Sequence, residues 1–557
     1  MRPRRFWVLP LLLAAAVPSL PAQEPAPMPK DAGPVKAPRQ PEVVTHAALA
    51  TAALEDAAAL DPGEAAETRY LDARNVSPDH VEETLAVLKY HLNQLSREVK
   101  FTGPRRVRDW LYAVRMSDYD WDAKAWEGLA GVNVYHNINV VVKTPIPEKT
   151  TVDEKYTEEE KVPVKKTRIV QRPNGAGGYI NVQEEYTDYE VKKVEKVRQV
   201  EKTVADKVKE QDDVLPAPWL PGKEMGGLIK LTGSKVPIVR ADYFINQTAV
   251  QQDRDGHGYY DFLKLKARED AEKLAVLDRK AAAKIYRELG AIAVTSGVTL
   301  NNRQLFRIQA LTGPWWESRD TKDNKGTRNA ANNLLDKYTH DAEEIVFTLP
   351  NGLPAFHLND NKGAQAKTAP DFIAGTTRTT NNDTRIHVGY SCIVCHNEGG
   401  LRSIRDYSRK LYDPATGISL ATLALDEKES KRLESVYLGP LKKNFDADSA
   451  AYGEATQDVC GLTPAKLSKA FESVWTRYLD EPVTVAKAAA ETGHTVEDFK
   501  KKLTEYATPK PVPGVRSKKV VNPVIVAYLA ADPLPVRREH FEEHFGLLML
   551  ILEGANP

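Results

Sequence analysis

Cysteine is scarce in this chain of 557 residues: there are 3, at Cys392, Cys395 and Cys460. So few exclude a disulfide framework, which small loop-rich folds need in quantity. Net charge is absent too, because 77 Lys and Arg face 77 Asp and Glu. Without a basic excess nothing resembles a nucleic-acid footprint, and no nucleic-acid partner is expected. Long apolar runs are missing beyond Val17, so no stable membrane span is expected. Methionine, at 5 residues, is rare enough to restrict the choice of metal ligands. With 42% hydrophobic and 28% charged residues a sizeable core is possible, and the length allows about three or four structural units.

Arg2, Arg4 and Arg5 precede the apolar stretch Phe6–Val17 and a Pro-Ser-Leu-Pro-Ala segment ending at Ala22. A charged start, a short apolar run and small residues at its end are the marks of a secretory signal peptide. The run holds roughly 12 residues, short of the ~20 that a spanning helix needs. Residues 1–22 are therefore expected to be cleaved, leaving a periplasmic or secreted protein. The leader takes three arginines with it, so the mature formal charge is −3.

The expected fold class is α+β multidomain. Six prolines between 23 and 45 point to a Pro-rich disordered tether, taken over 23–60. An N-terminal α+β unit follows over 61–144. Within it Val81, Leu85, Leu88, Leu92 and Leu95, spaced by four and three, share one helix face, and His91 is expected half-exposed beside them. Residues 145–213 turn to Lys, Glu, Val, Tyr and Thr with very few Leu. The runs Val164–Gln171 and Tyr179–Val191 alternate across a Pro-Asn-Gly-Ala-Gly-Gly break, which reads as a charged β-ribbon insertion with both faces wet. The following tract of Val, Lys, Glu and Arg extends the ribbon or forms a helix. Residues 214–375 read as a mixed α/β unit, with short strands in Leu228–Val239 and a helix from about Lys266 to Leu289. A hairpin is expected there around Asn351-Gly352. Residues 376–557 are mainly helical in pattern.

Cys392-Ile393-Val394-Cys395-His396 is C-x-x-C-H, the attachment pattern for c-type haem. Two thiols three residues apart in one helical turn reach the two vinyl groups on one porphyrin edge and form thioethers. The next residue, His396, then offers its Nε2 to the iron as proximal ligand. A redox dithiol would be expected near a βαβ pattern, and tetrahedral zinc needs a second ligand pair, whereas Cys460 stands alone. One covalent haem c, held by Cys392, Cys395 and His396, is thus the expected cofactor, and 376–557 the cytochrome c-like haem domain. His540-Phe541-Glu542-Glu543-His544 matches an inverted zinc-protease motif, but a third ligand must come from downstream, where Glu553 is the single carboxylate. A calcium-like loop at Asp253–Asp261 has Lys264 where a bidentate Glu is required.

The chain resembles the large exported proteins, common in planctomycetes and some other bacteria, that carry a single C-x-x-C-H in a c-type cytochrome domain. The resemblance lies in Ser117–Trp126, Arg240–Phe244, Ser296–Arg303, Leu349–Leu353 and Gly389–Cys392, scattered over about half of the mature chain. It implies an exported haem protein and assigns no reaction. The chain departs from the pattern at Arg307-Ile308-Gln309, where relatives often have Arg-His, and in the charged insertion.

The expected function is one-electron transfer in the periplasm with redox partner proteins. The alternatives are a haem-dependent, peroxidase-like oxidoreductase and a haem-based sensor or envelope interaction protein. Small c-type cytochromes commonly use a downstream Met as sixth ligand, and no Met lies between His396 and Met549. Met225, between Glu224 and Gly226-Gly227, is the leading distal candidate. Met116, Met549, His357, His387 and His494 stand behind it, and a low-spin six-coordinate iron is expected.

Overall fold

The computed structural model describes residues 43–145, 148–173, 177–204, 208–216, 222–251, 258–280, 288–293, 301–333, 337–370, 386–396, 400–412, 425–507 and 522–553. The leader and most of the calcium-like loop lie outside these residues. The architecture is α+β. The expected tether is shorter than 23–60, because His46–Ala58 is a helix: Thr45 caps it by accepting from the Ala48 N–H, and its alanine-rich face is buried.

A four-stranded sheet orders Arg105–Arg108, Leu111–Arg115, Thr68–Asp72 and Ile238–Arg240, with the last pair parallel. Instead of strands from Leu228, Gly222–Thr232 forms a helix that packs on His46–Ala58. Val81–Gln94 is a helix, with Val87, Leu88 and Leu92 fully buried. His91 is also buried, with its Nε2 at 2.8 Å from Thr248 Oγ1 and its ring edge-on to Phe471. The sequence shows the apolar stripe but not the second helix, Pro464–Leu479, that covers the flank carrying His91. Burial pushes the imidazole down to about 3, so it stays neutral in the fold.

The middle of the chain is a six-stranded antiparallel meander: Glu288–Ala293, Arg303–Gln309, Pro314–Asp320, Ala342–Thr348, Pro354–Asp360 and Gln365–Ala366. The Asn351-Gly352 hairpin is present, with Gly352 at φ 89°. Within the expected helix from Lys266 to Leu289, Arg268–Ala275 is helical and ends with Val276 in a left-handed conformation; Arg279 and Lys280 are helical again, and residues 281–287 lie outside the described residues. Leu289 belongs instead to the edge strand of the meander, where ladder pairing with Arg303–Gln309 overrides local helix preference. Helices fill the described C-terminal part, and one core runs from Leu71 to Leu552 through the expected units 61–144, 214–375 and 376–557 but not through the charged insertion. Among the described residues no helix is long and apolar enough to cross a membrane.

The charged insertion is a two-stranded ribbon. Glu148–Pro173 pairs with Tyr179–Val204 in one unbroken register, so the tract after Val191 extends the ribbon. Its strands of 26 residues reach about 85 Å at a strand rise of ~3.3 Å per residue. No described side chain between 153 and 199 is buried. Cross-strand ion pairs such as Lys166–Asp188 at 2.9 Å and Arg198–Glu154 at 2.9 Å are exposed, and such pairs contribute little. Joining Pro145 to Val208, which already face each other in the neighbouring pair of strands, by a short turn excises the ribbon. This deletion is expected to change unfolding stability by less than about 0.5 kcal/mol, measured by thermal or denaturant melts. Loss of folded protein would make the ribbon part of the core.

Candidate haem site

Cys392 and Cys395 sit on the short helix Tyr390–Cys395, whose entry residue Gly389 has φ 81°. A Cβ there would come within 2.3 Å of the Ala249 carbonyl oxygen, so only glycine brings the chain this close. Tyr390 donates its N–H to Ala249 O at 2.6 Å and stacks its ring on Trp475 at 4.0 Å. Ser468 Oγ donates to Val394 O at 3.1 Å, which fastens the helix to Pro464–Leu479. Three residues apart on one turn, both thiols face the same side. Cys392 is buried and Cys395 half-buried, and none of the three cysteines forms a disulfide. Burial raises the Cys392 thiol well above its ordinary value, with Glu344 and Cys395 adding to the effect, so it is held as the neutral thiol.

His396 ends the helix. Its Nδ1 lies 3.1 Å from Gly400 O, and Gly400 N–H donates back to His396 O at 3.1 Å. A carbonyl can only accept, so Nδ1 carries a proton and Nε2 is the nitrogen left for a metal. Gly400 has φ 80°, and a Cβ there would meet the Tyr452 side chain at 2.9 Å. The carbonyl that orients the imidazole is therefore fixed by packing. Phe356 lies against the imidazole, ring centroids 5.5 Å apart.

Both thiols and the imidazole line a cavity of about 420 Å³, within the roughly 300–1,000 Å³ typical of cofactor and ligand sites. Its other walls are residues 401–405, Phe445 and chiefly one face of the meander, where Leu305, Trp316, Ser318, Glu344 and Val346 alternate inward. Across this floor runs a polar row. His396 Nε2 is 3.4 Å from Glu344 Oε1, and Glu344 Oε2 is 3.9 Å from Arg303. Arg303 in turn pairs with Asp320 at 2.8 Å, and Ser318 donates to Asp320 at 2.7 Å. Burial alone would raise Glu344, but the neighbouring His396 and the charges of Arg303 and Arg402 outweigh it and hold the carboxyl below its ordinary value. Burial prevails at Asp320, which is raised despite Arg303.

These residues fit a haem. Two thiols on one edge, an imidazole with its far nitrogen anchored, apolar walls, and the exposed cations Arg402 and Arg405 at the rim answer the thioethers, the iron, the macrocycle and its carboxylates in turn. The cavity is not contained in the helical part 376–557, since the meander supplies its floor.

The remote ligand candidates are not brought here. Met225 packs in the smaller core with Leu49, Ala53 and Tyr70, because its helix docks on His46–Ala58. It does not line the cavity, and neither do Met116, Met549, His357, His387 or His494. His357 points to the opposite face of its strand, towards Tyr260. His540 and His544 of the zinc-like motif lie on the exposed side of Arg538–Leu552, and among the described residues no group of three or more metal-binding side chains converges. The sequence alone does not single out Glu344, Asp320 or Gly400, and it places Arg303 only at the end of the stretch Ser296–Arg303, with no role. The one available signal was a carboxylate at Glu344 between Ala342 and Val346, on the inward face of a strand.

No family model, no curated protein and no solved structure matches the chain.

Proposed function

We propose that the chain is an exported c-type cytochrome with one haem c, bound through Cys392 and Cys395 with His396 as proximal ligand, which passes single electrons between redox partner proteins. The observation that supports this reading best is the convergence of both thiols and the anchored imidazole on one cavity of cofactor size. When bound, the haem supplies an iron that changes charge by one unit. The residues of the chain do the rest. Cys392 and Cys395 tether one edge, and Gly400 fixes the His396 ring through Nδ1 and leaves Nε2 for the iron. Leu305, Trp316 and Val346 keep water from the buried face. Arg402 and Arg405 sit at the exposed rim, where a redox partner can approach.

The leader-like segment and the need for reduced thiols outside the cytoplasm belong to the same reading. Expressed in a host whose haem-attachment machinery is periplasmic, the full chain is expected to give a haem-staining band after denaturing electrophoresis. The chain lacking residues 1–22 should give none. Equal staining, or none with either form, contradicts exported haem attachment.

A further inference from the structure

Resting on that haem reading, we propose that Glu344 is the sixth ligand, so that the iron lies between the His396 imidazole and a carboxylate. With Nδ1 committed to Gly400 O, Nε2 presents a lone pair when it is not protonated, and Glu344 Oε1 stands 3.4 Å from it. Two acceptors at that distance repel each other unless something positive lies between them, either a proton or a metal ion. An ion bonded to one nitrogen and one oxygen at roughly 2 Å from each needs about 4 Å between them. The difference is well under an ångström, within reach of a glutamate side chain that is not fully packed; Glu344 keeps 27% of its side-chain surface.

The other donors on the floor are engaged elsewhere. Asp320 is held by Arg303 and Ser318, and Glu343 points to the far face, where Arg268 and His340 bind it. No methionine and no histidine besides His396 is among the described residues lining the cavity. Arg303, 3.9 Å from the second oxygen of Glu344, holds the carboxylate facing inward. A carboxylate is a hard, weak-field ligand, so this assignment replaces the expected low-spin iron with a high-spin ferric one whose sixth position is filled.

The test uses the purified holoprotein and three variants, Glu344→Gln, Glu344→Ala and Glu344→Met, with covalent haem content measured separately. Glu344→Ala should bind cyanide at least tenfold faster than the parent protein. Glu344→Met should turn the ferric spectrum low-spin and add a near-infrared sulfur-to-iron band. The near-isosteric Glu344→Gln, which keeps the shape of the floor, should change the ferric EPR signal without changing haem content. If Glu344→Gln and Glu344→Ala hold full haem with parental spectra and parental cyanide kinetics, Glu344 is not the ligand. If the parent protein carries no covalent haem, the underlying reading fails instead, and haem content alone reveals which has happened.

Discussion

Replacing Glu491 by alanine is expected to destabilise the fold by about 3–5 kcal/mol, the cost typical of breaking a buried ion pair from one side. Glu491 accepts from Arg240 at 2.7 Å and from both terminal nitrogens of Arg538, at 2.6 and 2.8 Å. All three side chains are within 3% of full burial. Arg240 also pairs with Asp242 and lies over the Tyr135 ring at 4.2 Å, while Arg538 donates to Tyr135 and to the Tyr478 carbonyl. The cluster therefore joins the first unit, the four-stranded sheet and the C-terminal helices at one point. Without the carboxylate, Arg538 keeps hydrogen bonds only to Tyr135 and the Tyr478 carbonyl, at 2% side-chain exposure.

The sign of the pH dependence follows from the same contacts. Burial would raise Glu491, but Arg240 and Arg538 hold it far below its ordinary value of 4.5. Its contribution is complete above that ordinary value and is lost as pH falls towards the lowered one. Denaturant melts of the parent and of Glu491→Ala should converge in strong acid and differ most near neutrality. Indistinguishable midpoints at pH 7 would contradict the account.

The second large effect is on the cofactor. On the proposed reading, serine at both Cys392 and Cys395 would remove both thioether bonds while keeping nearly the same volume, so the fold should persist and covalent haem should disappear entirely. Each single variant should keep haem through one bond, with a red-shifted alkaline pyridine haemochrome band, because one vinyl group stays unsaturated. Full covalent haem in the double variant would place the attachment elsewhere.

The parts legible in the sequence are those set by local chemistry. Cys392, Cys395 and His396 act within one helical turn, so their spacing alone states the chemistry they suit. Asn351-Gly352 specifies its own turn, and the alternation around Val164–Gln171 needs only a neighbouring strand to become a ribbon. Residues whose roles depend on distant partners were illegible. Glu344 faces His396 because sheet pairing and the docking of the attachment helix bring positions 52 residues apart together. His91 is buried because Pro464–Leu479 covers it, which nothing near His91 announces. Met225 stands beside two glycines in the sequence, yet a helix that begins at His46 claims its side chain for packing.

The claim on which everything else depends is the covalent haem. Acid-acetone extraction of the denatured, purified protein, followed by mass analysis of the tryptic peptide Ile386–Arg402, tests it directly. The account predicts that the colour stays with the protein and that this peptide carries the added mass of one haem. Colour that leaves with the solvent, together with a peptide of unmodified mass, would contradict it.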